Sequence, residues 1–208
     1  MTAKKPRNRM TGTERREQLI EVARGIFADR GFDGTAIEEV AHQAGVSKPV
    51  VYEHFGGKEG LYAVVIDREV NKLLTAMRGA LTADGGSREL VENATVALLD
   101  YIESSPDGFR ILVRDIPIRG AGATYQSMIG DIATRVEGIL ADRFKEHGLN
   151  SRTAPMYAQM LVGMVVMVGQ WWLGARKPAK EIVAAHLVNL AWHGLEGLEV
   201  SPQLRGRP

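Results

Sequence analysis

Glu39 and His42 are the pair of side chains whose spacing comes nearest to that of a metal site. They have the Glu-x-x-His spacing that helical di-iron proteins use. Such a site needs a second copy of the pair and two further carboxylates, and the sequence contains no second Glu-x-x-His. We therefore predict no metal and no cofactor, and we interpret the pair as part of a helix with another role.

Other catalytic patterns are missing from the sequence as well. Cysteine is absent, which excludes a thiolate nucleophile and a cysteine-ligated zinc or iron–sulfur site. There is no phosphate-binding loop, nucleophile elbow or zinc-protease motif. Gly120 and Gly122 lack the third glycine of a dinucleotide fingerprint and follow no predicted strand. The sequence therefore predicts that the protein is not an enzyme.

Side chains that donate hydrogen bonds gather instead between Ser47 and Lys58. Lys48, Tyr52 and His54 fall on or near the outside of a short predicted helix, which Ser47 can cap. Lys58 opens the next helix, whose N-terminal N–H groups can bind a phosphate. These residue types favour binding of a phosphate-bearing partner over catalysis.

Two further predicted helices precede this one and position it. Apolar residues line one face of the first helix at helical spacing: Leu19, Ala23, Ile26 and Phe27. Gly31 follows as a stop, and Thr35 to Glu38 fit a capping box that opens a second helix. Gly45 supplies a positive φ in the next turn, and Pro49 falls in the first turn of the third helix. This layout predicts a helix-turn-helix, whose third helix is free to enter a major groove.

The distribution of charge favours the same kind of partner. The formal net charge of the 208 residues is only +1. Within residues 1–16, however, Glu14 is the sole acidic residue, against a run of basic ones: Lys4, Lys5, Arg7, Arg9, Arg15 and Arg16. This asymmetry is typical of an arm that binds nucleic acid or another acidic surface. The apolar content of 45% excludes a disordered chain.

Two adjoining runs carry a more specific pattern. They are IEVARGIFADRGFDG and TAIEEVAHQAGVSKPVVYEHFGGKEGLYAVV, with a Val-Ser-Lys-Pro entry and a Tyr-x-His-Phe-x-x-Lys exit around the third helix. In this order of glycines and motifs, residues 14–66 resemble the DNA-binding domain of the TetR family of bacterial regulators. Gly57 departs from the family pattern, because family members often have Ser or Asn there as a cap for the fourth helix.

The resemblance implies a role for each matching position. Base edges would be faced by four residues of the third helix: Ser47, Lys48, Pro49 and Val50. Backbone phosphates would be bound by four others: Thr35, Tyr52, His54 and Lys58. The basic arm would add nonspecific affinity through Lys4, Lys5, Arg7 and Arg9. Glu53 either accepts a hydrogen bond from a cytosine or faces solvent.

The remainder of the sequence also predicts helices, which are separated by Gly and Pro. We predict an all-α fold of about nine helices and no strand, with a DNA-binding domain at residues 1–60 and a larger domain at 61–208. The predicted helix at 153–175 is apolar all round, so it must be covered on two sides. Its longest apolar run, 160–175, is 16 residues, short of the ~20 that span a bilayer.

In proteins of this family the larger domain dimerises and usually encloses a small-molecule pocket. Candidate pocket residues are aromatic, Met and branched side chains: Phe109, Leu112, Val113, Met160, Met164, Met167, Trp171 and Trp172. Candidate dimer residues are Val162, Val166, His186, Asn189 and His193. Arg110 and Arg114 either meet an anionic group on a ligand or form surface salt bridges.

The resemblance implies a cytoplasmic transcriptional regulator, most commonly a repressor. It would bind a palindromic double-stranded DNA operator as a homodimer, with no membrane partner, and would respond to a small, largely apolar effector. Two alternatives remain open at this point: a transcriptional activator, or an architectural DNA-binding protein that needs no ligand.

Overall fold

The structure, a computed structural model, describes residues 10–81, 86–114 and 121–203. Within these residues the chain forms nine α-helices and no strand, as the sequence predicts. The helices are α1 (Gly12–Gly34), α2 (Ile37–Gln43), α3 (Lys48–Phe55), α4 (Lys58–Leu81), α5 (Ser87–Ser104), α6 (Pro106–Arg114), α7 (Ala121–Glu146), α8 (Ala154–Ala175) and α9 (Lys180–Glu196). A short 3-10 helix, Ser151–Thr153, precedes α8.

Helices α1 to α3 and the start of α4 pack around an aromatic core. The ring centroid of Tyr62 lies 4.8 Å from that of Phe27 and 5.0 Å from that of Phe32, both edge-on. Val51, on the inner side of α3, is completely buried. Burying such a side chain contributes about 1.5–3 kcal/mol, which fixes the face that α3 turns inward.

The junction of α1 and α2 differs from the sequence prediction. Gly31 has a φ of 72°, but α1 resumes beyond it, so the expected stop is a kink. The expected capping box at the start of α2 is absent: the N-cap is Ala36, and the Thr35 hydroxyl donates instead to the Gly31 carbonyl at 2.7 Å. A capping box does form at the start of α1, between Thr11 and Glu14.

Helices α4 to α9 form the larger part of the molecule. Helix α7 packs along α8, and α5 packs between α4 and α9. Helix α6 begins at Pro106, because proline suits a first helical turn.

The segment Ser151–Ala175 is long and apolar enough to cross a membrane by length and composition alone. We expected the apolar run to be too short to span a bilayer, and this finding corrects that expectation. The count of 16 residues began at Met160 and left out the uncharged residues before it. In the fold, one side of α8 packs against α5, α6 and α7. Trp172 and Leu173 join the main core, while Ala154 and Ala158 pack on Leu140 and Phe144.

Candidate functional site

A tight turn and two caps set the position of α3. Gly45 has a φ of 64°, which a glycine adopts without strain, and the N–H of Val46 donates to the Ala41 carbonyl at 2.9 Å. Ser47 is the N-cap residue, as expected, but its side chain makes no capping hydrogen bond. Pro49 lies in the first turn, so the start of α3 follows the sequence prediction.

The outer side of α3 carries most of the residues predicted to contact DNA. Ser47, Lys48, Pro49 and Tyr52 are exposed, and His54 is half-buried. Val50 is also half-buried and packs against the core, so it offers less surface to a base. The arrangement gives a short helix with one apolar face fixed in the core and one polar face toward solvent, as entry into a major groove requires.

Lys48 makes an ion pair with Glu38 of α2, a contact that the sequence pattern does not predict. Hydrogen bonding to Glu38 raises the pKa of Lys48, and the same contact lowers the pKa of Glu38. Both side chains are exposed, so the pair contributes little to stability. It does place a carboxylate beside the lysine that the sequence analysis assigned to base edges.

Replacing Glu38 by glutamine should strengthen DNA binding. The change frees Lys48 and removes a negative charge that repels phosphates, so we expect about a threefold gain in affinity at low salt and a steeper salt dependence. Fluorescence anisotropy at two salt concentrations measures both quantities. Glu92→Gln is the control, because Glu92 pairs with Arg88 on α5 and the change in net charge is the same. Equal effects of the two variants would contradict the assignment.

The connection between α3 and α4 relies on two glycines. Gly56 has a φ of 73° and Gly57 a φ of 146°, a conformation that other residues rarely adopt. This explains why glycine occurs where family members often have a capping residue. Lys58 Nζ lies 3.3 Å from the Asp33 carbonyl, to which it donates, and 4.4 Å from the centroid of Phe32. Lys58 is therefore half-buried at the start of α4.

Thr35 is placed differently from the other predicted contacts. Its side chain is only 3% exposed, and its hydroxyl is used within the domain at the kink of α1. A phosphate contact through this hydroxyl would require that bond to break. The four arm residues Lys4, Lys5, Arg7 and Arg9 lie outside the described residues.

Arg16 of α1 holds the end of α3. One guanidinium nitrogen donates to the His54 carbonyl at 2.6 Å, and the guanidinium carbon lies 4.4 Å from the centroid of Phe55. In the sequence, Arg16 is recognisable only as part of the basic run within residues 1–16. Its real partner is 38 residues away, so no local pattern could reveal the contact.

The larger domain contains a partly open cavity of about 660 Å³, a size that suits small-molecule sites. Residues from α4 to α9 line it, and most are apolar. Of the eight predicted pocket residues, Phe109 and Met164 line this cavity. Leu112 is buried in the core, Val113 packs partly buried against it, and Trp172 is buried with its indole N–H donating to the Pro178 carbonyl at 2.8 Å.

Helix α8 presents its residues differently from what we expected, except at Met164. Val162 and Val166, predicted at the dimer face, line the cavity. Three predicted pocket residues lie on the outer face, where more than half of each is exposed: Met160, Met167 and Trp171. Because α8 is apolar all round, its spacing alone cannot tell which side turns inward.

Helix α9 continues this exposed surface. The predicted dimer residues His186, Asn189 and His193 are exposed, with Ile182 and Leu190. We call the exposed apolar residues of the two helices the α8–α9 face: Met156, Met160, Met167, Trp171, Ile182 and Leu190. Large apolar side chains concentrated in this way mark an interaction surface.

Two polar residues at the end of α7, Arg143 within the helix and His147 directly after it, line the cavity and were missed. Arg143 forms an ion pair with Glu146 at 2.9 Å, which leaves other guanidinium donors available. His147 Nδ1 lies 2.9 Å from the Arg143 carbonyl. Glu196 of α9 also lines the cavity, but it accepts hydrogen bonds from Trp192 and His193 on its own helix. The cavity is thus apolar with one polar end.

Helix α6 runs from the cavity to α1. Phe109 lines the cavity, whereas Arg114 donates to the Asp29 carbonyl at 2.9 Å and to the Ala28 carbonyl at 3.3 Å. Arg110 forms the surface salt bridge that we considered, with Asp107 at 2.8 Å. Arg114 therefore follows neither predicted alternative and ties α6 to the first helix.

A helix-turn-helix joined to a helical domain with an apolar cavity defines a class, the DNA-binding transcriptional regulators that carry a second helical domain. Residues 19–65 match the family model for bacterial regulatory proteins of the tetR family, and residues 76–204 match that for the tetracyclin repressor-like C-terminal domain. The chain belongs to the TetR family of transcriptional regulators, as its motifs predict.

Individual relatives agree with this assignment. The HTH-type transcriptional activator FasR of Mycolicibacterium smegmatis is 32% identical over 189 residues, which are 90% of this chain and 86% of that protein. A TetR-like regulator from Rhodococcus sp. RHA1 has the same fold, with a TM-score of 0.79, 24% identity and coverage of 91% and 100% of the two chains. FadR from Bacillus subtilis, in complex with stearoyl-CoA, has a TM-score of 0.68, 15% identity and coverage of 84% and 96%.

Proposed function

We propose that the protein is a ligand-responsive regulator that binds a palindromic operator as a homodimer. The observation that carries the proposal is the cavity, because an apolar space of about 660 Å³ has the size and lining of a small-molecule site. An architectural protein that needs no ligand has no use for such a cavity. The proposed domain division stays at residues 1–60 and 61–208, with α4 spanning the boundary.

On the DNA side, the proposal assigns base contacts to Ser47, Lys48 and Pro49. Tyr52 and Lys58 would bind phosphates, which orient α3 without reading sequence. His54, which is half-buried, would also bind a phosphate. In a dimer, the two copies of α3 would enter successive major grooves about 34–36 Å apart. The relatives act as regulators of transcription, so we assign the protein to the cytoplasm.

For the dimer, we propose contact through the α8–α9 face. A twofold axis pairs each patch with its own copy, so exposed apolar side chains such as Trp171 and Leu190 would cover one another. Polar residues around them, including His186 and Asn189, would form the rim.

For the effector, we propose an acyl chain with an acidic head group. The apolar wall suits the chain, and Arg143 and His147 at the polar end suit a carboxylate or phosphate. The stearoyl-CoA complex of the Bacillus subtilis structural relative supports this class of ligand. The sign of regulation depends on where the operator lies relative to the promoter. The name of the Mycolicibacterium relative therefore makes activation the second candidate beside repression.

Replacing Val166 by tryptophan should block the effector. The larger side chain fills cavity space without displacing the packed core, so we expect at least a tenfold loss of affinity for stearoyl-CoA and unchanged operator binding without ligand. Isothermal titration calorimetry with stearoyl-CoA measures the first effect and fluorescence anisotropy the second.

The matched control is Val96→Trp on α5, where the valine is 41% exposed and does not line the cavity. It should bind stearoyl-CoA as the wild type does. If Val166→Trp bound stearoyl-CoA as tightly as Val96→Trp, the cavity would not be the effector site.

A further inference from the structure

Glu69 of α4 is a buried carboxylate, only 1% exposed, where α1, α4, α5 and α6 meet. It does not line the cavity, although Leu73 and Met77 on the same helix do. A buried charge is costly unless it is fully paired, so its presence calls for a physical reason.

Three side chains donate hydrogen bonds to the carboxylate, and Arg24 forms an ion pair with it. Tyr101 and Ser105 each donate a hydroxyl to Oε2 at 2.9 Å. Lys72 Nζ donates to Oε1 at 2.8 Å, and Arg24 Nε lies 3.1 Å from the same oxygen. We call these five residues the Glu69 cluster.

The cluster joins the first helix to the start of α6. Arg24 of α1 also donates to the Ser105 hydroxyl at 2.8 Å, and Ser105 directly precedes α6. Helix α6 contacts the carboxylate itself, because a Cβ on Gly108 would lie only 1.8 Å from Oε2 of Glu69. Glu69 therefore contributes to the position of α6 relative to α1, in addition to the direct packing of the two helices and the hydrogen bonds from Arg114.

The protonation states agree with this geometry. Burial pushes the pKa of Glu69 upward, but hydrogen bonds from Lys72, Ser105 and Tyr101 outweigh it, so the pKa is lowered overall. Burial and the neighbouring carboxylate raise the pKa of Tyr101. At neutral pH the carboxylate is charged and the phenol keeps the proton that it donates.

We propose that Glu69 is a positioning residue that transmits effector binding from the cavity to the DNA-binding helices. The residue after Gly108 is Phe109, which lines the cavity, so an effector that moves Phe109 also moves the backbone packed on the carboxylate. The movement then reaches α1 through Arg24 and α3 through Arg16, which holds the His54 carbonyl. This inference rests on the proposed ligand-responsive function.

The test compares Glu69→Gln with wild type and with Glu17→Gln. Glu17 bridges the same two helices, α1 and α4, by an exposed ion pair with Arg68, which makes it a matched control. The first readout is hydrogen exchange of the ligand-free protein. The second is the fold-change in DNA affinity that stearoyl-CoA causes, and direct titration of stearoyl-CoA checks the cavity.

We expect Glu69→Gln to exchange faster in α6 and in α1 beyond Arg24, while α7 is unchanged. Its stearoyl-CoA affinity should stay within about twofold of wild type, but the change in DNA affinity on ligand binding should fall at least fivefold. Glu17→Gln should behave as wild type. If Glu69→Gln does not fold, Tyr101→Phe removes one donor only and should give a smaller loss of the same kind.

Two results would overturn the inference. One is unchanged exchange in α6 and α1. The other is a lower Tm with an undiminished response to stearoyl-CoA, since Glu69 would then be only structural. If the wild type itself binds no stearoyl-CoA, the proposed effector fails. In that case, faster exchange confined to α6 and α1 would support the positioning role without it.

Discussion

Replacing Gly60 by alanine should remove specific DNA binding. Gly60 lies in the first turn of α4, and a Cβ there would be 2.0 Å from the backbone carbonyl oxygen of Phe55 at the end of α3. A backbone atom cannot rotate away as a side chain can, so α3 and α4 must separate. We expect a loss of about 1–3 kcal/mol of stability and at least a tenfold loss of operator affinity. Thermal unfolding and fluorescence anisotropy measure these effects.

The control for this variant lies on the same helix. Gly79 is exposed, and a Cβ there meets nothing within 4 Å. Gly79→Ala should therefore be neutral or should stabilise the protein by about 0.5–1 kcal/mol, since alanine favours a helix over glycine. Wild-type operator affinity in Gly60→Ala would contradict the close approach of α3 and α4.

Replacing Trp171 by glutamate should convert the proposed dimer into a monomer. Trp171 is 56% exposed in the single chain, and the twofold axis would place two introduced carboxylates in the apolar interface. Losing a central tryptophan typically costs at least about 2 kcal/mol, and the change occurs twice. We therefore expect the dimer dissociation constant to rise about a thousandfold, as measured by analytical ultracentrifugation.

Operator affinity should also fall in this variant as the dimer dissociates, because a monomer contacts one half-site only. Val96→Glu is the control, since it introduces the same charge at an exposed valine on α5, outside the α8–α9 face. If Trp171→Glu remained a dimer at micromolar concentration, the pairing surface would lie elsewhere.

The local features of the DNA-binding region could be predicted from the sequence. The positive φ of Gly45 and the first-turn position of Pro49 follow from the chemistry of those residues, and both occur in the structure. Thr35 shows the limit of this reasoning. Its spacing to Glu38 fits a capping box, but α2 begins one residue later with Ala36 as the N-cap, and the Thr35 hydroxyl donates to the Gly31 carbonyl.

Contacts between distant parts of the chain could not be predicted. The orientation of α8 is one case, because both of its sides are apolar and only the packing of α5, α6 and α7 selects the inner one. The Glu69 cluster is another, since its members come from three helices and the residue between α5 and α6. The close approach of Gly60 to Phe55 likewise depends on the angle between α3 and α4.

The most direct test of the whole account is binding to DNA that flanks the protein's own gene. Fluorescence anisotropy with sheared competitor DNA, at two salt concentrations, should give saturable binding of two chains per site. Stearoyl-CoA should then change the affinity at least fivefold, in the range of ordinary allosteric coupling. The contradicting result has two parts: competitor DNA abolishes binding to every flanking fragment, and stearoyl-CoA does not change the DNA affinity. Together these would contradict a ligand-responsive regulator that acts beside its own gene.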